Sequence, residues 1–249
     1  MKTSDIEPGK LRARLLRSLG LGLAAAALGG SLFLWIKRGA SDDGAPLPLR
    51  RAFQVNEKIW ARLQSERLSV ARPEPPEGQE PRFNGGLGLE DEVDLEDYTV
   101  RVESGERRLN LDVAALRALP QTSYSTDFRC IEGWSEVLQY KGTRFSDFMD
   151  AYGVGRKSDG TPYRYVGLET PDGGYYVSID MKSMLHPQTL LTYEENGRPL
   201  SDENGAPVRL MIPIKYGIKS LKRVGRIFFS DERPPDYWAE RGYDWYSGL

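Results

Sequence analysis

Phe128-Arg129-Cys130-Ile131-Glu132-Gly133-Trp134-Ser135 holds the single cysteine of this 249-residue chain. A lone thiol cannot close a disulfide within its own chain, so its value lies in packing, in reactivity or in holding a metal. Burial as a small hydrophobe is the plainest of these readings. The neighbours point further. Glu132-Gly133-Trp134 reads as a strand giving way to a turn, where a side chain is commonly presented to a pocket. Thiolate is a soft donor suited to transition metals.

Outward from this stretch the pattern is β-rich with short helices. Residues 98–102, 163–168, 175–179, 208–214 and 226–229 carry the β-branched and aromatic enrichment of strands. Asp112 to Leu119 reads as a helix capped by Asp112, and Ser146 to Tyr152 as another ended by Gly153. The fold class expected is α+β, with one sizeable core after about residue 95 and no internal repeat.

Between Val208 and Ser230 the charged residues are Arg209, Lys215, Lys219, Lys222, Arg223 and Arg226, with no carboxylate among them. Such a run is read either as a solvated basic face or as an anion site, for which Tyr216-Gly217 supplies a turn with free backbone N–H groups. A nucleic-acid surface is disfavoured, because the whole chain has a net charge of −2.

Arg129 to Ser135 is similar, position by position, to the metal-binding stretch of the sulfite-oxidase-fold molybdopterin oxidoreductases. Within them it is most like the catalytic subunits of bacterial periplasmic methionine-sulfoxide reductases. Tyr165-Val166-Gly167-Leu168-Glu169-Thr170 and Met184-Leu185-His186-Pro187-Gln188-Thr189-Leu190 resemble two further motifs of that family. The longest likeness runs from Asn204-Gly205-Ala206-Pro207-Val208-Arg209-Leu210 through Lys215-Tyr216-Gly217-Ile218-Lys219-Ser220-Leu221-Lys222 to Glu232-Arg233-Pro234-Pro235.

The resemblance implies a mixed, β-rich sulfite-oxidase-type fold and a molybdenum–molybdopterin cofactor. It makes Cys130 the metal ligand and the catalytic residue. Thr170, Asn204 and Arg209 would hold the pterin, and Ser220, Leu221 and Lys222 its phosphate end. Of the family's early Asn-Asn-Phe-Tyr-Glu contact only Asn84 has a counterpart, in Pro81-Arg82-Phe83-Asn84-Gly85. Arg129, Trp134 and Tyr140 are candidates for the substrate mouth. His186, the only histidine, is either a packed imidazole or a neighbour of the pterin.

The implied activity is two-electron oxygen-atom transfer on a small substrate, with reduction of a sulfoxide-type compound favoured over sulfite oxidation. A non-catalytic binding or assembly subunit that keeps the fold is the alternative. One cysteine and one histidine exclude attached haem, bis-histidine haem, a histidine-based zinc triad and a multi-cysteine iron–sulfur cluster. The electrons therefore pass to or from a separate protein, a haem-bearing membrane protein or a cytochrome. The catalytic part is expected to be monomeric.

The N-terminal part places this chemistry. After a basic tail over residues 1–17, residues 18–36 are nineteen positions without a charge, enough as a helix to span roughly 28 Å. They read as a single transmembrane anchor, with Lys10, Arg12, Arg14 and Arg17 on the cytoplasmic side and the catalytic domain periplasmic, on the inner membrane. A cleaved signal peptide is the rival, made unattractive by Lys37-Arg38 directly after the apolar run. Residues 37–94 are expected to be a linker with an amphipathic helix from about Phe53 to Leu68, packed on the core or lying on the membrane surface, and an acidic segment, and 95–249 the oxidoreductase domain. Glu90 to Asp97 holds six carboxylates in eight residues, read as a solvated loop or as a docking patch for a basic redox partner.

Overall fold

The computed structural model describes residues 8–42, 44–63, 68–76 and 79–249. It opens with α1 (Pro8–Arg38), which contains the whole uncharged stretch and continues for 31 residues. Its apolar side chains, from Leu15 to Trp35, pack against nothing in the domain. It is long and apolar enough to cross a membrane. Residues 1–7 of the basic tail lie outside the described residues.

A two-strand ribbon, β1 (Ser41–Asp42) and β2 (Ala45–Pro46), leads into α2 (Leu47–Leu63). The helix expected from Phe53 to Leu68 begins six residues earlier. Pro48 is compatible with this because a first-turn residue has no intrahelical N–H bond to lose. Residues 64–67 of that expectation lie outside the described residues, and Leu68 is no longer helical. From Leu68 the chain runs along the hairpin described next. Arg72 N–H donates to the Ser125 carbonyl at 3.1 Å, and the Gln79 side chain donates to Glu136 at 2.8 Å.

Two five-stranded sheets follow. The helices and strands in chain order are β3 (Thr99–Ser104), β4 (Arg107–Asp112), α3 (Val113–Arg117), β5 (Gln121–Arg129), β6 (Ser135–Arg144) and α4 (Phe145–Tyr152). After them come β7 (Tyr165–Glu169), β8 (Tyr176–Asp180), α5 (Met181–Met184), β9 (Leu190–Glu195), β10 (Arg198–Pro199), β11 (Arg209–Met211) and β12 (Arg226–Ser230). One sheet has the order β5-β6-β9, with β10 and β11 both pairing with the far side of β9; the other has the order β4-β3-β12-β7-β8. β12 sits between two hairpins, parallel to β3 and antiparallel to β7.

The core lies between the sheets. Val100, Val166, Leu168, Ile179 and Ile227 of one meet Leu191, Tyr193 and Leu210 of the other, with Phe145, Phe148 and Met149 of α4 filling the end. Both capping expectations hold: Asp112 accepts from Ala115 N–H at 2.5 Å, and Gly153 ends α4 with φ 58°. The strand expected over 208–214 is shorter, only Arg209–Met211, because Pro213 has no N–H to give to a ladder. β6 bulges between Lys141 and Gly142, where a Cβ would come within 2.0 Å of the Leu191 carbonyl. Only glycine lets β9 approach there.

The basic run 208–230 is not a bare cationic face. Lys215 meets Asp180 at 3.2 Å, Lys219 meets Asp236 at 2.5 Å, and Arg223 meets Asp202 at 3.3 Å. Arg226 bridges Glu103 at 2.9 Å and Glu169 at 3.0 Å. The missing carboxylates come from elsewhere in the chain, which the local count could not register. Lys219 and Asp236 are both buried, so removing one partner strands a charge. Lys219→Met is expected to destabilise the protein by about 3–5 kcal/mol, measured by denaturant unfolding; a loss within about 0.5 kcal/mol would mean that Asp236 is satisfied without it.

Candidate functional site

The cysteine hairpin builds one wall. β5 and β6 pair as far as Arg129↔Ser135, and the loop between them is closed by Cys130 N–H donating to the Trp134 carbonyl at 2.9 Å and Gly133 N–H to the Cys130 carbonyl at 3.1 Å. Gly133 has φ 92°, a conformation that glycine adopts without strain. Side chains alternate along a strand, so Phe128 and Cys130 turn inward while Arg129 turns out. Cys130 is 7% exposed and lines a cleft, with Ile131 and Glu132 at the rim.

The floor comes from the 209–222 segment. Arg209, Ser220 and Lys222 all line the cleft, with Gly217 and Ile218 between them. A Cβ on Gly217 would lie 2.4 Å from the Phe128 ring, so a glycine here lets the floor close onto the cysteine hairpin. Asn84 and Gly85 of the extended segment form a third side, and Tyr175, Trp238 and Tyr243 a fourth.

Arg209 is buried and held by the carbonyls of Asn204 at 3.2 Å and Ser220 at 3.5 Å, with Glu195 at 3.7 Å. Its Nε has no hydrogen-bond partner in the protein, nor do the two carboxylate oxygens of Glu195. Burial pushes the Glu195 carboxyl above its usual range, and the Arg209 charge offsets this in part. Lys222 donates to the carbonyls of Gly85 at 2.9 Å and Glu203 at 2.7 Å. Of the six cations between Val208 and Ser230 it is, among the described residues, the one without a carboxylate within ion-pair distance. Its pKa is pushed down to about 8 by burial and then by the nearby Arg209 charge.

Five of the residues singled out in the sequence therefore share one cleft: Asn84, Cys130, Arg209, Ser220 and Lys222. Three stand behind it. The Thr170 hydroxyl closes the β7–β8 turn by accepting from Tyr175 N–H at 3.0 Å, so it reaches the cleft only through Tyr175. Asn204 contributes the carbonyl that fixes Arg209, and the Leu221 side chain is part of the main core.

The suggested substrate-mouth residues do not converge. Arg129 lines a separate groove with Asp127, Ser69 and Ile214, Tyr140 is wholly buried, and Trp134 packs under Arg82 at 4.5 Å. Strand alternation turns Arg129 away from the thiol, whereas Trp134 and Tyr140 share the inward face but pack with Phe128. His186 is buried, with its Nδ1 accepting from Gln188 N–H at 3.2 Å, and is not part of the cleft lining. The sequence marked Tyr175 only as a strand residue and did not single out Trp238 and Tyr243, whose one signal is five aromatic residues within 237–246.

The model of the family described as "Oxidoreductase molybdopterin binding domain" matches residues 87–238. The chain belongs to that family. Among relatives of this molybdopterin-binding oxidoreductase is a chain of Azospira oryzae provisionally named protein-methionine-sulfoxide reductase subunit YedZ1. It is 34% identical over 184 residues, which are 72% of this chain and 64% of that one. The protein-methionine-sulfoxide reductase catalytic subunit MsrP of Burkholderia mallei is 34% identical over 55% of this chain and 45% of its own. MsrP of Ralstonia nicotianae is 29% identical over 99% and 78%. The chain thus spans less than two thirds of the first two of these relatives. Among solved structures, the sulfane dehydrogenase SoxCD of Paracoccus pantotrophus superposes with a TM-score of 0.51 over 57% of this chain and 40% of that one, at 21% identity. The fold is the sulfite-oxidase type.

The donors of the cleft suit the cofactor of this family. A thiol, an arginine with an unbonded buried N–H, a lysine and an amide face one space, which matches a ligand that combines a soft metal with an anionic, hydrogen-bonding body. Lys222 carries its charge at neutral pH and loses it above about pH 8. Because its folded pKa lies below the unfolded value, the charged form opposes folding, and this contribution to stability rises with pH from about 8 to about 10.4. In an NMR titration Lys222, assigned by the loss of its signal in Lys222→Met, is expected to change charge near pH 8. A midpoint shared with surface lysines would contradict the electrostatics described here.

Proposed function

We propose that the cleft takes a molybdenum–molybdopterin cofactor and that the chain catalyses the two-electron reduction of a sulfoxide, with methionine sulfoxide as the favoured substrate class. The observation that carries this reading is the convergence of the only thiol with buried Arg209 and Lys222 on one cleft. The relatives named for protein-methionine-sulfoxide reduction supply the substrate class.

The bound group supplies oxygen-atom transfer chemistry. Cys130 gives the protein's sulfur ligand, and Asn84, Arg209, Ser220 and Lys222 hold the organic part and its phosphate. Thr170, Asn204 and Leu221 act from behind, by setting Tyr175, the Arg209 guanidinium and the 220–222 backbone. Trp238 and Tyr243 form an apolar wall against which a thioether-like substrate packs. The reaction takes two electrons and two protons, turns the S–O oxygen into water and leaves the sulfide. Glu132, the one carboxylate of the cleft lining, would pass on a proton. The electrons come from a separate haem-bearing or cytochrome protein. Residues 18–36 anchor the chain in the inner membrane, 37–94 lead into the catalytic domain 95–249, and that domain works as a monomer on the periplasmic side.

The test is purification of the full chain from a molybdenum-replete host, with elemental analysis and electron paramagnetic resonance of Mo(V). Near-stoichiometric molybdenum and a signal altered in Cys130→Ser are expected, while a folded, metal-free protein would favour a binding or assembly subunit. Arg209→Ala is expected to lower cofactor occupancy, by an amount consistent with losing about 1.5–3 kcal/mol of charge-assisted bonding. Unchanged occupancy would remove Arg209 from the cofactor's contacts.

A further inference from the structure

α2 has three sides that its packing separates. One faces the domain: Arg50 donates to the carbonyls of Ala239 at 2.9 Å and Tyr243 at 3.3 Å, Glu57 pairs with Arg233 at 2.7 Å, and Ala61 packs on the Trp245–Tyr246 cluster. A second side, turned away from these contacts, is mostly apolar, with the exposed amide of Asn56 within it. Leu49, Ile59, Trp60 and Leu63 are 44%, 46%, 37% and 65% exposed. At 100° per residue these four positions fall on one stripe. The third side carries Arg51, Lys58 and Arg62, all exposed.

Four large exposed apolar side chains on one side of a docked helix are suited to a low-dielectric neighbour. The chain itself indicates which. Only residues 39–46 separate α1 from α2, and the described residues on either side of position 43 are hydrogen-bonded rather than loose. Gly39 N–H donates to the Trp35 carbonyl at 3.0 Å, Leu47 N–H donates to the Ala40 carbonyl at 2.9 Å, and Ser41–Asp42 pairs with Ala45–Pro46. The stripe therefore starts within one short ribbon of the end of the apolar helix. Trp60 is an aromatic with a polar edge, suited to the headgroup level, and the long cationic side chains can reach back to anionic lipid.

We propose that the Leu49–Ile59–Trp60–Leu63 stripe of α2 lies in the headgroup–acyl boundary of the bilayer. This rests on the reading of α1 as an uncleaved membrane anchor. Because Arg50 ties α2 to the carbonyls of Ala239 and Tyr243, and Tyr243 lines the cysteine cleft, the contact would hold one cleft wall a single helix away from the membrane surface. The domain would then be oriented at the bilayer rather than tumbling on a tether.

The test is photocrosslinking of the full chain in nanodiscs containing phosphatidylglycerol, with p-benzoylphenylalanine placed in turn at Ile59, Leu63, Lys58 and Leu28, and adducts read by mass spectrometry. Lipid adducts at 59 and 63, several-fold above those at 58, are expected together with lipid adducts at 28. Adducts at 28 but none at 59 and 63 would overturn the proposal while leaving the anchor intact. Adducts from 59 to a second copy or to another polypeptide would also overturn it. Absence of lipid adducts at 28 would remove the anchor, and the proposal with it.

Discussion

Burying a run of cations is the constraint around which this molecule is arranged. Residues 209–226 carry six positive charges through the middle of the domain, and most of those side chains are withdrawn from water. A buried ammonium or guanidinium is tolerable only when a counter-charge or several carbonyls replace its hydration. The partners come from far along the chain: Glu103 on β3, Glu169 at the end of β7, Asp180 at the end of β8, Glu195 on β9 and Asp236 near the C-terminus. Satisfying these cations therefore fixes both sheets and the C-terminal segment around one stretch.

The cleft is the place where that compensation is left incomplete. Arg209 keeps one N–H unbonded and Lys222 has carbonyls but no carboxylate. Lys222 thus lacks a counter-carboxylate in the cleft that holds the only thiol, while Arg209 has Glu195 at 3.7 Å and an unbonded Nε. A protein that neutralised these two residues as fully as Lys219 would be more self-sufficient and less able to hold an anion. Incomplete internal satisfaction at a functional site is a common physical signature, since the ligand supplies the remaining partners.

Much of this was legible in residues near one another in sequence. The turn after Cys130, the caps at Asp112 and Gly153, and the uncharged run within α1 depend on local stereochemistry or composition, and each is found where the chain suggested it. Five strands were also legible to within a few residues, because β-branched and aromatic runs suit a half-buried pleat, whereas β4, β6 and β9, interrupted by charged and polar residues, were not.

What the sequence determined by itself is the chemical inventory: one soft donor on a strand-ending turn, a block of cations and an apolar helix before the domain. Tertiary structure decided which members of that inventory meet. It withdrew Lys215, Lys219, Arg223 and Arg226 into ion pairs with distant carboxylates and left Arg209 and Lys222 facing Cys130. It turned Arg129 away by strand alternation, and it brought Trp238 and Tyr243 from the C-terminal segment to the cleft wall. Charge pairing and side-chain direction depend on distances in space, and a linear count of residues contains no such distances.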